Sequence, residues 1–197
     1  MNLVTHVYQD IPGWFDWETT YRRWAEQVRP DGVIVEVGAY LGKSLSFLLV
    51  ELQNLERYDV QVHAVDNWVG PEPGVDGFAG LELEREFHNN IRSLMIRPAV
   101  HRMKSLTAAS MFPLEAVDMV WLDGSHTFED VYADLEAWWP LVRPGGEIGG
   151  HDLTSFADVQ KAVTLWSKRQ GVEYRVLPSC HNSGPVTSSW LMVKAHG

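Results

Sequence analysis

Residues 33–48 read VIVEVGAYLGKSLSFL, and this stretch decides the fold. It opens with an unbroken β-branched run that ends at Gly38, the composition of a strand buried on both faces of a sheet. Gly42 follows, and apolar residues then recur at helical spacing. A strand, a glycine turn and a helix start bind polar or anionic cofactors, because the turn admits the ligand and the first helical N–H groups point towards it.

Two phosphate-containing ligands compete for this turn. A nucleoside triphosphate needs four residues between the glycines of its loop, ahead of a Lys-Ser pair such as Lys43-Ser44, but only three are present here. A dinucleotide needs a second glycine where Tyr40 stands, so that the backbone can approach the pyrophosphate. Both ligands stay open as alternatives, and each conflicts with the sequence at one position.

The third candidate ligand is S-adenosylmethionine, which has no phosphate and therefore tolerates a turn with fewer glycines. Its positive charge calls for an acidic partner, and an acid lies just before the turn. The stretch resembles the first motif of class I S-adenosylmethionine-dependent methyltransferases, [D/E]-x-G-x-x-x-G. We therefore assign five residues to a cofactor site: Glu36, Gly38, Tyr40, Gly42 and Ser44.

Composition restricts the function further. A chain of 197 residues is most simply a single domain, 1–197, with residues 1–30 as a helical N-terminal extension. The net charge of −10 argues against a nucleic-acid partner. Cys180 is the single cysteine, so no internal disulfide forms. We see no signal peptide and no apolar run long enough for a membrane, and expect a cytoplasmic protein that could form a homo-oligomer.

Apolar runs and helical periodicities alternate along the chain, which predicts an α/β fold. We expect one Rossmann-like, doubly wound sheet of about seven strands, mostly parallel with an antiparallel last strand, covered by helices on both faces. The expected strands are 33–37, 60–66, 100–104, 116–122, 147–152, 173–177 and 189–194. The expected helices are 14–28, 43–57, 81–94, 128–139 and 155–170, with a helical turn at 107–112 and a tight turn at 143–146.

Two segments have open interpretations. The first helix, with Asp16 as its candidate cap, packs against the sheet or covers the site as a lid. Residues 69–80 hold four glycines and two prolines, which predicts a lid loop over 67–80 or a disordered surface loop. His181 and Asn182, in the connection between the last two strands, could also reach the site.

Acidic residues end four of the expected strands: Glu36, Asp66, Asp123 and Asp152. In an open α/β sheet, ligands bind outside these carboxyl ends. Asp66 is a candidate to accept hydrogen bonds from ribose hydroxyls, with a turn or capping role as the alternative. Trp68 would stack on adenine or lie in the core. Ser105 follows the third strand at the same edge and could contact the adenine.

The last two acids are candidates for chemistry. Asp123 and Asp152 end neighbouring strands and together hold either the acceptor or, as oxygen ligands, a divalent cation such as Mg²⁺. Asp123 is also a candidate cofactor-binding residue. His126 lies three residues after Asp123 and is a candidate general base, with a helix cap or a surface histidine as the alternatives. His151 is a metal ligand, a substrate contact or a residue that orients Asp152.

A longer resemblance supports this assignment. LDGSHTFE at 122–129, Asp134, WPLVRPGG at 139–146 and GHD at 150–152 resemble the class I methyltransferase family that includes macrocin- and mycinamicin-type sugar O-methyltransferases and cephalosporin-hydroxylase-like relatives. The resemblance spans roughly residues 30–155. It implies S-adenosylmethionine as methyl donor, often with Mg²⁺. It also implies a metal ligand at Asp123, a base at His126, and further ligands at the position of the His151-Asp152 pair.

The sequence therefore predicts an S-adenosylmethionine-dependent O-methyltransferase for a small hydroxylated acceptor, such as a sugar or a natural product, with possible Mg²⁺ assistance. Two alternatives stay open. One is a non-catalytic S-adenosylmethionine-binding protein. The other is an ATP-dependent phosphotransferase that uses Lys43 and Ser44.

Overall fold

The computed structural model describes residues 3–69, 81–177 and 188–196, and these form a seven-stranded sheet. The strand order is β3-β2-β1-β4-β5-β7-β6. The strands are β1 (Val33–Val37), β2 (Gln61–Asp66), β3 (Ala99–Arg102), β4 (Val117–Leu122), β5 (Val142–Gly150), β6 (Tyr174–Leu177) and β7 (Ser189–Val193). β1 to β5 pair in parallel, and β7 is antiparallel to both of its neighbours. The predicted fold class is confirmed.

Helices cover both faces of the sheet. They are α1 (Glu18–Gln27), α2 (Lys43–Asn54), α3 (Leu81–Ile91), α4 (Ser105–Ala109), α5 (Phe128–Trp138) and α6 (Ala157–Gln170). α1, α2 and α3 contribute to one hydrophobic cluster, and α4, α5 and α6 to the other. The central strands are buried on both sides, which is why they read as continuous apolar runs. No helix in the described ranges is long and apolar enough to span a bilayer.

The first helix packs against the sheet, which confirms the first of its two interpretations, packing rather than a lid. Trp17 stacks on Trp121 of β4 with ring centroids 5.1 Å apart, and Tyr21 and Trp24 contact the same indole edge-on. The Trp24 indole also donates a hydrogen bond to Glu147 of β5 at 2.5 Å. These contacts fix the segment before α1 beside the carboxyl ends of the strands.

The start of the first helix was predicted wrongly. The helix begins at Glu18 rather than at residue 14, and its N-cap residue is Trp17 rather than Asp16. The Asp16 carboxylate instead lies 3.1 Å from Nε2 of His151. The aromatic spacing from residue 14 onward is helical in pattern, but residues 14–17 precede the helix and have no regular secondary structure. A long-range contact of Asp16 therefore replaces the local cap.

The tight turn expected at 143–146 is part of β5, so this prediction is also wrong. β5 pairs with β4 through a register shift near Val117, and Gly145 takes a left-handed φ of +75°. The chain following β7 completes the pairing: Gly145 N donates to the Lys194 carbonyl at 2.7 Å, and Lys194 N donates to Gly146 at 2.9 Å. These cross-strand bonds keep the glycines in the strand.

Other boundaries moved by a few residues. The helical turn expected at 107–112 is α4, which starts earlier, at Ser105. The strand expected over 147–152 ends at Gly150, so His151 and Asp152 follow it. Residues 70–80 of the predicted lid lie outside the described residues, as do Cys180, His181 and Asn182.

The aromatic packing of α1 on β4 predicts a large stability difference between two tryptophans. Trp121 is 0% exposed and Trp14 is 70% exposed. We expect Trp121→Ala to lower the free energy of unfolding by roughly 3–5 kcal/mol, because it leaves a cavity among three aromatic rings. Trp14→Ala is the matched control and should change it by less than about 0.5 kcal/mol. Urea unfolding measures both, and equal losses would contradict this packing.

Candidate active site

The site begins where the strand order reverses between β1 and β4, the usual ligand position in an open α/β sheet. The turn after β1 contains Gly38 at φ +91° and Gly42 at φ +81°. A Cβ atom on Gly38 would lie 2.1 Å from the carbonyl oxygen of Asp123, so no other residue fits there. The glycine turn and the loop after β4 are therefore in direct backbone contact.

Asp66 braces this turn from the end of β2. Its Oδ2 accepts a hydrogen bond from the Tyr40 backbone N–H at 2.8 Å, and its Oδ1 accepts one from Trp68 N–H at 2.7 Å. Tyr40 and Trp68 are non-glycine residues with positive φ, 45° and 48°, conformations that concentrate at functional sites. Burial raises the pKa of Asp66. The structure thus places Asp66 beside the turn, and its ribose role stays a prediction.

Trp68 is 1% exposed and lies in the core, which was one of the two positions predicted for it. Its Nε1–H donates to the Tyr40 carbonyl at 2.8 Å, and its ring contacts Phe87 of α3. The indole thereby supports the glycine turn from behind. Its stacking on adenine stays a prediction.

Glu36 lies beneath the turn and is fully buried. Its two carboxylate oxygens accept hydrogen bonds of 2.7 Å from the hydroxyls of Tyr21 and Ser44. Burial raises the pKa of Glu36 to about 8, against the opposing effect of these bonds, and the nearby acids Asp123 and Asp66 raise it further. At neutral pH this acid is mostly protonated. The predicted electrostatic role of Glu36 towards the cofactor stays a prediction, and Ser44 is bound to Glu36.

The contacts of Lys43 do not favour a phosphate loop. The Lys43 ammonium donates to the Ile11 carbonyl at 2.9 Å, and the neighbouring Ser44 hydroxyl donates a hydrogen bond to Glu36.

Ser105, a predicted adenine contact, starts α4 and accepts a hydrogen bond from the Trp138 indole at 2.9 Å. Ser105 therefore also ties α4 to α5.

Three predicted residues converge at the carboxyl ends of β4 and β5. Asp123, His126 and Asp152 each offer a ligand atom, and these atoms lie within 4.8 Å of one another. His126 Nε2 lies 2.9 Å from Asp152 Oδ2 and 3.9 Å from Asp123 Oδ1. This nitrogen is buried, yet it makes no aligned hydrogen bond to any residue of the described ranges. A buried nitrogen aimed between two carboxylates suits a divalent cation.

His126 does not cap the following helix. Thr127 is the N-cap of α5, and its hydroxyl accepts a hydrogen bond from Asp130 N–H at 3.3 Å. The imidazole instead stacks on Phe156, with ring centroids 4.1 Å apart and planes 4° from parallel. The capping alternative for His126 is therefore wrong.

The charges in this cluster are mutually compensating. The carboxylates of Asp123 and Asp152 raise the pKa of His126 to about 9. Burial alone would raise the pKa of Asp152, but the imidazoles of His126 and His151 lower it overall. Burial raises the pKa of Asp123. Without a cation, the cluster therefore carries a protonated His126 at neutral pH.

His151 is 6% exposed and lies outside the three-residue group. Its Nε2 lies 3.1 Å from Asp16 and its Nδ1 lies 3.4 Å from Asp152. Burial would lower the pKa of His151, but the two carboxylates raise it to about 10. This geometry favours the orienting role among its three interpretations, and the metal-ligand role stays a prediction.

Sequence reasoning missed three side chains that shape the site. They are Asp16, which contacts His151 from 135 residues away, Tyr21, which contacts Glu36, and Phe156, which stacks on His126. Phe156 follows Asp152 by four residues, a spacing that could have suggested proximity. Asp16 and Tyr21 belong to the segment before and within α1, and no local pattern indicates their partners.

Comparison with known proteins now identifies the family. The profile of a methyltransferase domain family matches residues 35–153, which span the glycine turn and the cluster. The chain belongs to this methyltransferase family. An uncharacterized protein of Sinorhizobium fredii is 29% identical over 119 residues, a match that covers 60% of this chain and 13% of that protein. The chain thus spans only a small part of that relative.

Solved structures confirm the fold of a class I methyltransferase. The O-methyltransferase NovP has a TM-score of 0.70 at 18% identity, over 91% of this chain and 80% of its own. An O-methyltransferase from Bacillus cereus in complex with SAH scores 0.64 at 18% identity, over 96% and 87% of the two chains. TomG from Streptomyces achromogenes, in complex with SAM, scores 0.65 at 13% identity, over 94% and 83%.

The buried Glu36 predicts a pH-dependent stability. The pKa of Glu36 is about 8 in the folded protein, above its ordinary value of 4.5. The protonated acid therefore makes its full contribution to the free energy of unfolding below pH 4.5, and this contribution is lost as the pH rises towards 8. The loss is at most about 1.4 kcal/mol per pH unit. Glu36→Gln cannot ionise, and we expect urea unfolding at pH 5.5, 7 and 8.5 to show a shallower decline than in the parent.

Glu26→Gln is the control for this prediction, because Glu26 is an exposed acid on α1. It should keep the parent's decline with pH. A Glu36→Gln variant that declines as steeply as the parent would show that Glu36 is ionised in the folded protein throughout.

Proposed function

We propose that the protein transfers the methyl group of S-adenosylmethionine to a hydroxyl oxygen of a small acceptor. The observation that carries this proposal is the backbone contact between Gly38 and Asp123. It places the glycine turn of the family's cofactor motif directly beside the Asp123–His126–Asp152 cluster. A methyl donor bound at the turn and an acceptor bound at the cluster would then be neighbours, as methyl transfer requires.

The cofactor would lie across the turn after β1. The backbone of Gly38, Tyr40 and Gly42 forms the floor, and Glu36 with Ser44 supports it from below. Asp66 would accept hydrogen bonds from the ribose hydroxyls, and Ser105 and Trp68 would border the adenine. The complexes of TomG with SAM and of the Bacillus cereus enzyme with SAH support this choice of cofactor.

Asp123 and Asp152 would hold a divalent cation, with His126 at its edge. The donor set fits, because two carboxylates converge on a buried nitrogen that lacks an aligned hydrogen-bond partner in the described part of the chain. When bound, Mg²⁺ or a similar ion would orient acceptor oxygens and lower the pKa of the hydroxyl to be methylated. The same two carboxylates hold His126 in its charged form, so neutralising either of them would lower the pKa of the imidazole.

His126 would act as the general base. In its neutral form, which a lowered pKa would favour, the imidazole would accept the proton of the acceptor hydroxyl while the oxygen attacks the methyl carbon. The carbon–sulfur bond breaks with its electron pair going to sulfur, which gives S-adenosylhomocysteine and a methyl ether. Phe156 stacks on the His126 ring and limits its rotation.

The acceptor class follows from the charge of the protein. With a net charge of −10, a neutral or basic hydroxylated acceptor is favoured over a polyanion. A sugar or a phenolic natural product fits this description. Asp123 and Asp152 would hold the cation that helps to orient such an acceptor.

Cofactor binding gives the first prediction of this proposal. S-adenosylhomocysteine at about one hundred times its dissociation constant should add roughly 2.7 kcal/mol of stability and raise the Tm by several degrees. Asp66→Ala should abolish this rise, whereas Asp10→Asn, an exposed acid in the N-terminal segment, should keep it. Thermal unfolding measures the shift. A rise with Mg·ATP and none with S-adenosylhomocysteine would favour the phosphotransferase alternative.

The role of His126 gives the second prediction. His126→Ala should retain the thermal shift with S-adenosylhomocysteine and lose about 10²–10⁴-fold in methyl transfer, because the base is absent. Labelled S-adenosylmethionine with a panel of sugars and phenols measures the transfer. His88→Ala, an exposed histidine on α3, is the matched control. An unchanged rate of methyl transfer in His126→Ala would contradict the assignment of His126 as the general base. Cofactor binding without transfer to any acceptor would favour the non-catalytic alternative.

A further inference from the structure

A continuous line of charged contacts joins the segment before α1 to the cluster. Asp16 Oδ1 lies 3.1 Å from His151 Nε2, and His151 Nδ1 lies 3.4 Å from Asp152 Oδ1. The other oxygen of Asp152 lies 2.9 Å from His126 Nε2. Carboxylates and imidazoles alternate along this line, so each carboxylate faces an imidazole and each imidazole faces a carboxylate.

We infer that Asp16 is a positioning residue for the reaction. It fixes His151, which orients the Asp152 carboxylate and, through it, the His126 imidazole and any bound cation. This inference deepens the proposed function and rests on it for the role of the cluster. It assigns an active-site function to a segment that lies before the matched methyltransferase region, residues 35–153.

His151 is built to transmit orientation. Its imidazole is almost completely buried, and Trp17 packs against the ring with centroids 4.6 Å apart. Both ring nitrogens face carboxylates, one on each side. A ring held at both nitrogens and packed by an indole cannot turn freely, so the position of Asp16 determines the position of the contact to Asp152.

Asp152 needs such support. It has a left-handed φ of +62°, which is unfavourable for a non-glycine residue and persists only where the surroundings enforce it. Its carbonyl accepts a hydrogen bond from Phe156 N–H at 3.2 Å, and the Phe156 ring stacks on His126. The backbone of Asp152 is thus held by the start of α6, and its carboxylate by His151. Loss of Asp16 would release the second of these restraints.

Asp16→Ala and Asp16→Asn separate geometry from charge. The alanine removes both the hydrogen-bond acceptor and the charge, whereas the asparagine keeps an acceptor oxygen towards His151. Asp10→Asn is the matched control, since Asp10 is an exposed acid in the same segment. Residues that orient metal ligands typically contribute 10–100-fold to metal affinity, which sets the expected magnitude.

The experiment uses the full chain with ¹⁵N-labelled histidine at constant pH, and has two readouts. The first is the NMR signals of the histidine rings, and the second is Mn²⁺ binding followed by electron paramagnetic resonance. We expect Asp16→Ala to shift the ring signals of His126, because Asp16 acts on that ring through His151 and Asp152. We also expect the variant to bind Mn²⁺ about tenfold more weakly. Asp16→Asn should fall between this variant and the parent.

The ring signals of His63 and His101, which pair with each other on β2 and β3, should stay unchanged in all variants. Parent-like His126 signals and Mn²⁺ affinity in Asp16→Ala would overturn the inference. If that variant does not fold, Asp16→Asn carries the test, and parent values in both readouts would overturn it. The ring signals require no methyl transfer, so failure here is distinguishable from failure to bind S-adenosylhomocysteine, which would overturn the proposed function.

Discussion

The site depends on the close contact between two backbone segments, at Gly38 and Asp123. The carbonyl of Asp123 occupies the space where any side chain at position 38 would begin. Because of this contact, the turn after β1 and the loop after β4 share one location at the switch in strand order. Asp123 lies 85 residues after Gly38 in the chain, and only this packing brings the cofactor motif and the acid–histidine cluster into one site.

Two layers of acidic groups surround that contact, and they are stabilised in different ways. Below the turn, Glu36 is buried between two hydroxyls, and burial keeps it largely protonated at neutral pH. Above it, Asp152 stays ionised because two imidazoles face it. Protonation of the lower acid limits charge repulsion near the site. The upper cluster can therefore keep an ionised carboxylate, balanced by the two imidazoles, where a cation or an acceptor hydroxyl would bind.

Much of the fold could be predicted from the sequence, because buried parallel strands read as apolar runs and acids mark their carboxyl ends. The convergence of Asp123, His126 and Asp152 followed from that rule. The start of α1 could not be predicted, since Asp16 is used by His151 on a distant strand end instead of by the helix. The glycines of 143–146 were misread as a turn because their pairing depends on Lys194, at the far end of the chain.

The tryptophans show the same limit at the level of side chains. Trp14 and Trp121 have the same side chain, but Trp14 is exposed and Trp121 is completely buried. Trp68 follows an acid that ends a strand, which suggested a ligand contact, whereas its indole supports Tyr40 from within the core. Local sequence predicts that an aromatic residue lies near the site, and only tertiary packing determines whether it faces the ligand.

A crystal structure of the protein soaked with S-adenosylhomocysteine and Mn²⁺ would test directly whether the glycine turn and the acid–histidine cluster form one site. We expect the nucleoside across the Gly38–Gly42 turn with its ribose at Asp66, and an anomalous peak for Mn²⁺ bordered by Asp123, His126 and Asp152. Occupancy of a different surface by S-adenosylhomocysteine, or a manganese peak away from these three side chains with the turn occupied, would contradict this expectation.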